Sequence, residues 1–103
     1  MLILKLRRRG TLENKVDYQE IAEFLKALSH PTRLQIVEYL AGGEKCVKEI
    51  WEELGIPQPT ASQHINVLKN AGIICYKKEG VRTCYRIKDD RVIQILQILK
   101  EEE

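Results

Sequence analysis

The sequence has no long apolar run and no signal-peptide pattern, and these absences argue against a membrane-spanning or secreted protein. No apolar run approaches the roughly 20 residues that a membrane-spanning helix needs. The opening stretch Met1–Leu6 is too short for the core of a signal peptide, and its arginines follow the apolar run instead of preceding it. We therefore expect a cytoplasmic protein with no membrane partner.

Cysteine and histidine are also scarce. The three cysteines, Cys46, Cys75 and Cys84, are an odd number and include no Cys-x-x-Cys pair, which argues against a secreted disulfide framework. The two histidines, His30 and His64, fall at a helix entry and within a helix, and no acid is evidently placed to orient either one beside a cysteine nucleophile. We therefore predict that the protein is not an enzyme.

The charge balance is nearly even. Charged residues make up 31% of the chain and aromatic residues 6%, but the net charge is only +2. The sequence has no strongly basic tail that would indicate a nucleic-acid partner, so any nucleic-acid binding must depend on where the positive residues lie. A chain of 103 residues forms one domain, small enough to gain stability from dimerisation.

Apolar residues at helical spacing predict three helices in the first half of the chain. The first runs from about Tyr18 to Leu28, behind a capping box of Asp17 and Glu20, and it is apolar over more than one stripe, which suggests a partner surface. The second starts at Pro31 and ends before Gly42. Its predicted buried residues are Leu34, Val37 and Leu40. The third covers about Val47 to Leu54, with Ile50, Trp51 and Leu54 inward.

A fourth helix is predicted within Gln58–Gly72. Its narrow apolar stripe consists of Ala61, Ile65 and Leu68, and its opposite face carries amides and hydroxyls with no acid. That composition suits hydrogen bonding to base edges in a major groove, although an ordinary solvated helix has the same polarity. Pro57 stands at the N-cap, where it provides no capping side chain.

After the fourth helix the apolar period changes to two, which predicts a hairpin turning at Glu79–Gly80. In that register Cys75 faces Cys84, and one side of the hairpin is apolar and aromatic while the other is basic with two thiols. A last amphipathic helix follows, capped by Asp89 or Asp90. We expect it to pair with the first helix across a two-fold axis.

This order of elements predicts a mainly α fold with a small β-hairpin, a winged helix-turn-helix. The segments FLKALSHPTRLQIVEYL, EKCVKEI and PQPTASQHINVLKNAGII resemble the ArsR/SmtB (arsenical-resistance repressor) family. The resemblance covers about Tyr18 to Leu99. We expect one domain over residues 16–103 and an N-terminal arm over residues 1–15. The most specific match is a Ser-x-His followed by a Leu-x-x-Ala-Gly run, here Ser62, His64, Leu68, Ala71 and Gly72.

The resemblance implies a homodimeric transcriptional repressor, dimerised through the first and last helices, that binds a palindromic operator in double-stranded DNA. The family's DNA contacts come from the first two turns of the fourth helix, which here contain Gln58, Thr60, Ser62, Gln63 and His64. The wing cations Lys77, Lys78 and Arg82 are candidate phosphate contacts. Three alternatives remain: His64 bonded inside the protein, a solvated hairpin tip without DNA contacts, and a winged-helix module whose exposed face meets protein instead of DNA.

The signal that such a repressor would sense is less evident. The family's Cys-Val-Cys metal motif has only its first cysteine, Cys46, because Lys48 replaces the second, and the last helix has no histidine for a zinc site. No cofactor is therefore expected. Cys75 and Cys84, as predicted cross-strand neighbours, are candidates for a redox disulfide. The alternatives are a permanent disulfide, two inert thiols, a metalloid held by Cys75 and Cys84 with or without Cys46, and a regulator without cysteine-based sensing.

Overall fold

The computed structural model describes residues 16–101, so the predicted N-terminal arm lies outside the described residues. Within that range the chain forms five helices and three strands, as the winged helix-turn-helix prediction requires, with one additional strand. In chain order they are α1 (Tyr18–Leu28), α2 (Pro31–Leu40), β1 (Lys45–Cys46), α3 (Val47–Leu54), α4 (Gln58–Asn70), β2 (Ile74–Glu79), β3 (Arg82–Ile87) and α5 (Arg91–Lys100).

Local chemistry fixes where the helices begin and end. Asp17 caps α1, its Oδ1 accepting the amide hydrogen of Glu20 over 3.1 Å. At the start of α2, Nδ1 of His30 accepts the amide hydrogen of Thr32 over 3.1 Å, and Pro31 follows the cap. Gly55 ends α3 in the left-handed region at φ +66°. These caps explain why the helix boundaries could be predicted closely from the sequence.

The core lies where α2, α3 and α4 meet the sheet and α5. The predicted stripe of α4, Ala61, Ile65 and Leu68, is confirmed, since all three are fully buried. For α2 the prediction was wrong in one residue: Ile36 is fully buried, whereas Leu34 is only partly buried. The reason is that α2 contacts α3, α4, α5 and β3, so more than one stripe of this helix is covered.

The strands form one antiparallel sheet in the order β1-β3-β2. Strand β1 was not predicted from the sequence, because it contains only two residues. It pairs with the outer side of β3, placing Lys45 opposite Tyr85 and Cys46 opposite Cys84. The two-stranded wing predicted from the sequence is therefore extended to three strands, and β1 connects it to the start of α3.

The predicted hairpin register was wrong by two residues. Cys75 lies opposite Arg86, and the β2 residue opposite Cys84 is Lys77. The turn is Gly80–Val81 instead of Glu79–Gly80. A two-residue hairpin turn needs positive φ at its first central position. Gly80 takes φ +65° there without the strain that Glu79 would incur at that position. A shift of two residues keeps every side chain on its predicted face.

Of the two candidate aspartates, Asp90 is the N-cap residue of α5, but its side chain makes no capping hydrogen bond, and the preceding Asp89 bonds the first helical amide instead. Oδ1 of Asp89 accepts the amide hydrogen of Arg91 over 3.1 Å, and its carboxylate also pairs with the Arg91 guanidinium, with a shortest distance of 2.7 Å. These hydrogen bonds hold the pKa of Asp89 below its usual value. Among residues 16–101 no helix has both the length and the apolar character to cross a membrane.

Candidate nucleic-acid interface and thiol site

The first two turns of α4 present polar side chains away from the core. Gln58 and Gln63 are exposed, while Thr60 and Ser62 are half-buried. Because the N-cap residue Pro57 has no side-chain acceptor, it cannot bond the first amides of the helix, and an anion such as a phosphate would find hydrogen-bond donors there. The helix therefore combines a rigid apolar anchor with an exposed, acid-free edge.

His64 is held from inside the protein. Its ring centroid lies 4.4 Å from that of His30, and its Nδ1 lies 3.3 Å from a terminal nitrogen of Arg33. Arg33 is in turn fixed by a 2.6 Å hydrogen bond from its Nε to the carbonyl oxygen of Ala27. Burial, followed by the nearby His30 and Arg33, lowers the pKa of His64 below its ordinary value. These contacts tie α4 to the entry of α2.

The three predicted wing cations have different surroundings. Lys77 forms ion pairs with Glu79, over 3.1 Å, and with Glu44, over 3.6 Å. Arg82 donates a hydrogen bond to Sγ of Cys46 over 2.8 Å. Lys78 lies on the opposite face of the hairpin from both, since side chains alternate along a strand. The wing is therefore basic, but Lys77 and Arg82 are already engaged within the sheet.

The disulfide of the structure joins Cys46 to Cys84, not Cys75 to Cys84 as the sequence register predicted. Cys75 is a half-buried free thiol. Both bonded cysteines are buried, with 7% and 2% of their surface exposed. The bond links the residue that precedes α3 to the middle strand of the wing. Sequence reasoning missed this partner because β1, which brings Cys46 beside β3, has too few residues to show a strand period.

Apolar side chains remain exposed on α1 and α5. On α1, Tyr18, Ile21 and Leu25 keep 76%, 41% and 49% of their surface exposed. On α5, Ile98 and Leu99 keep 69% and 67%. Two helices at opposite ends of the described chain therefore offer apolar surface that residues 16–101 do not cover.

A pair of helices joined by a glycine-containing turn, followed by an antiparallel wing, defines a winged helix-turn-helix protein. Residues 30–76 match the family described as bacterial regulatory protein, arsR family. An uncharacterised HTH-type transcriptional regulator of Methanocaldococcus jannaschii is 48% identical over 85 residues, which span 82% of this chain and 96% of that protein. The chain belongs to the arsR family of DNA-binding transcriptional regulators, and this is a family of regulators, not of enzymes.

Two further relatives agree with this assignment. A biofilm growth-associated repressor of Xylella fastidiosa is 39% identical over 91 residues, covering 88% of this chain and 78% of the repressor. The solution structure of a homodimeric winged helix-turn-helix DNA-binding domain from Mycobacterium bovis superimposes with a TM-score of 0.75 at 32% identity, covering 90% of this chain and 87% of that domain. The resemblance noted in the sequence is thus confirmed, and so is the predicted fold class.

Proposed function

We propose that this protein is a homodimeric repressor that binds a palindromic operator and releases it when Cys46 and Cys84 form a disulfide. The observation that carries the DNA-binding part is α4, whose Ala61, Ile65 and Leu68 are locked in the core while its opposite edge is polar and free of acids. Such an edge can enter a major groove without repelling phosphate.

The residues of α4 have distinct roles in this proposal. Gln63 is exposed and can bond adenine in bidentate fashion, whereas Gln58, Thr60 and Ser62 lie near the helix N-terminus, where phosphates bind. His64 positions the helix through His30 and Arg33 and reaches DNA only with its outer ring edge. On the wing, Lys77, Lys78 and Arg82 contact phosphates of the flanking duplex.

Dimerisation places two α4 helices on one operator. The exposed apolar residues of α1 and α5 are the surface that a second copy would bury, and the related Mycobacterium bovis domain is described as homodimeric. A two-fold axis through this surface would present the helices to successive major grooves, roughly 34 Å apart. The two half-sites of the operator would then be inverted repeats.

In this proposal the thiol signal reaches DNA binding because the Cys46–Cys84 disulfide lies beside two cations of the wing. Two thiols lose two electrons and two protons to a peroxide, giving the Cys46–Cys84 bond and two waters. In the bonded state Arg82 contacts Cys46 and Lys77 pairs with two glutamates, so these two cations have partners within the wing that compete with phosphate. Because disulfides are uncommon in the cytoplasm, where DNA-binding regulators act, a reversible bond fits better there than a permanent one.

A mobility-shift titration tests the proposal. The probe is the DNA upstream of the protein's own gene, and the protein is used reduced and peroxide-oxidised. We expect a salt-sensitive shift for reduced protein at micromolar concentration or below, and an affinity at least about tenfold weaker after oxidation. Gln63→Ala should weaken the shift of reduced protein by about 1–3 kcal/mol if its amide bonds a base.

Two matched variants serve as controls. Asn70→Ala removes an exposed amide from the last turn of α4, far from its DNA-binding N-terminus, and should leave the shift unchanged. Cys84→Ser should bind equally well with and without peroxide, while Cys75→Ser should respond as the unaltered protein does. No salt-sensitive shift in either redox state contradicts DNA binding. Equal affinities in both states contradict only the thiol signal.

A further inference from the structure

A mixed group of sulfur, carboxylate and ammonium lies on one face of the wing. Cys46, Cys84 and Lys77 are neighbours in a single row across the three strands. The carboxylates of Glu44 and Glu79 reach the same place, so that one ligand atom from each and Sγ of Cys84 lie within 4.8 Å of one another. Lys77 of this group is also one of the wing cations that the DNA-binding proposal assigns to phosphate, so the group lies beside the proposed DNA contacts.

The charges of this group depend on the redox state of the cysteines. With the disulfide closed, the carboxylates of Glu44 and Glu79 are balanced by the ammonium of Lys77 and the guanidinium of Arg82, which contacts Cys46. Reduction followed by deprotonation adds two thiolates. The same place then carries two negative charges in excess, an amount that one divalent cation balances.

We propose that the reduced site binds one divalent, thiophilic cation of the Zn²⁺ type through Cys46, Cys84, Glu44 and Glu79. Two thiolates and two carboxylate oxygens complete a tetrahedral set, with expected bonds of about 2.3 Å to sulfur and about 2.0–2.2 Å to oxygen. The cation displaces Lys77 from the two carboxylates, and two thiol protons are released for each cation bound. A trivalent metalloid would need a third thiolate, and Cys75 lies opposite Arg86, outside this group.

Cation binding and the disulfide exclude each other, because a sulfur bonded to sulfur is not a thiolate ligand. Oxidation of the loaded site by one peroxide consumes two protons and yields the disulfide, two waters and the free divalent cation, whose charge does not change. The site thus deepens the proposed thiol signal, on which it rests. The cation occupies the reduced state and leaves when the Cys46–Cys84 bond closes.

Spectroscopic titration of the reduced full-length protein with Co²⁺, followed by competition with Zn²⁺, tests this site without DNA. We expect one Co²⁺ per chain, with thiolate-to-cobalt charge-transfer absorption and the visible bands of tetrahedral cobalt. Peroxide should abolish both and release the cation, while the number of titratable thiols falls from three per chain to one.

Single substitutions identify the ligands. Cys46→Ser or Cys84→Ser should remove most of the charge-transfer intensity. Glu44→Gln or Glu79→Gln should weaken Zn²⁺ binding by at least about 10-fold, the smallest loss typical even of an outer-shell partner, while the thiols remain. Lys77→Met, which removes the competing ammonium, should strengthen Zn²⁺ binding. Cys75→Ser is the matched control, because it removes the third thiol and should leave both the charge-transfer absorption and the affinity for Zn²⁺ unchanged.

Three outcomes distinguish this site from the function it rests on. Reduced protein that has three free thiols but binds Co²⁺ without charge transfer overturns the cation site and leaves DNA binding and the thiol signal intact. Loss of the band in Cys75→Ser overturns the ligand assignment. A Cys46–Cys84 bond that dithiol reductants do not open overturns the thiol signal and the cation site together, whereas the mobility shift still reports on DNA binding.

Discussion

His64 combines internal packing with a position on the helix that is proposed to contact DNA. Its ring lies against His30 and its Nδ1 faces the Arg33 guanidinium, so the imidazole has a cationic neighbour on its inner side. A proton on that nitrogen would meet both partial burial and a like charge. The native fold therefore favours the neutral imidazole.

The lowered pKa of His64 has a consequence for stability. Since the folded-state pKa lies below the ordinary value of 6.5, the unfolded chain takes up the proton first, and the free energy of unfolding decreases as pH falls through 6.5 toward the folded-state pKa. We expect urea denaturation of oxidised protein to show this decrease between about pH 8 and pH 5. His64→Gln should show a smaller decrease, because its side chain does not titrate.

Comparison within each protein removes the cost of the substitution itself. For His64→Gln and for the unaltered chain, the free energy of unfolding at about pH 5 is subtracted from that at about pH 8. The two differences are then compared, with the chloride concentration held constant. An equal pH difference in both proteins would show that His64 does not contribute to the acid sensitivity of the fold.

At the scale of elements, the turn between β2 and β3 decides the chemistry of the wing. Gly80 adopts φ +65° at the first turn position and thereby places Lys77 beside Cys84. A turn one residue earlier would place Cys75 there instead. The same register leaves Cys84 free on its other edge for β1, where Cys46 completes the disulfide.

Gly80→Ala should destabilise the fold by about 1–2 kcal/mol, because an L side chain is strained at positive φ. Urea denaturation of the oxidised protein at a fixed chain concentration measures the difference. The matched control is Gly42→Ala, where the new Cβ would lie 3.5 Å from the carbonyl oxygen of Tyr39, an ordinary contact, and where we expect a change within about 0.5 kcal/mol. Equal losses in the two variants would argue against strain at the turn.

At the scale of the whole molecule, α1 leaves most of its apolar residues unburied. Within this helix only Ala27 and Leu28, at the C-terminal end, are buried. Ile21 and Leu25 are partly exposed, and together with Phe24 and Ile95 they line a cavity of about 390 Å³. A single chain of this size gains from covering such surface. The dimer is therefore a proposed requirement of stability as well as of operator symmetry.

Leu25→Glu should weaken the dimer by about 2 kcal/mol or more, roughly 30-fold in Kd, because a carboxylate would be buried without a partner. Sedimentation equilibrium across a dilution series measures the change. Val81→Glu, at a fully exposed position on the wing tip, is the control and should leave the mass unchanged. A Leu25→Glu protein that remains dimeric on dilution would place the interface elsewhere.

The sequence by itself determined most of the local structure. Caps and breakers such as Asp17, Pro31 and Gly55 act within a few residues, so the helix boundaries follow from near neighbours. The apolar stripe of α4 also follows from spacing alone. Family-specific spacing around Ser62 and His64 identified the class of protein before any contact was known.

Only the tertiary structure decided which cysteines pair. The alternation of β2 and β3 is satisfied equally by registers two residues apart, so the pattern fixed the faces but not the partners of Cys84. The choice depends on the φ of Gly80 and on β1, a two-residue strand that exists because β3 offers it an edge. Pairings between residues 38 positions apart, such as Cys46 with Cys84, arise from packing and leave no periodic trace in the chain.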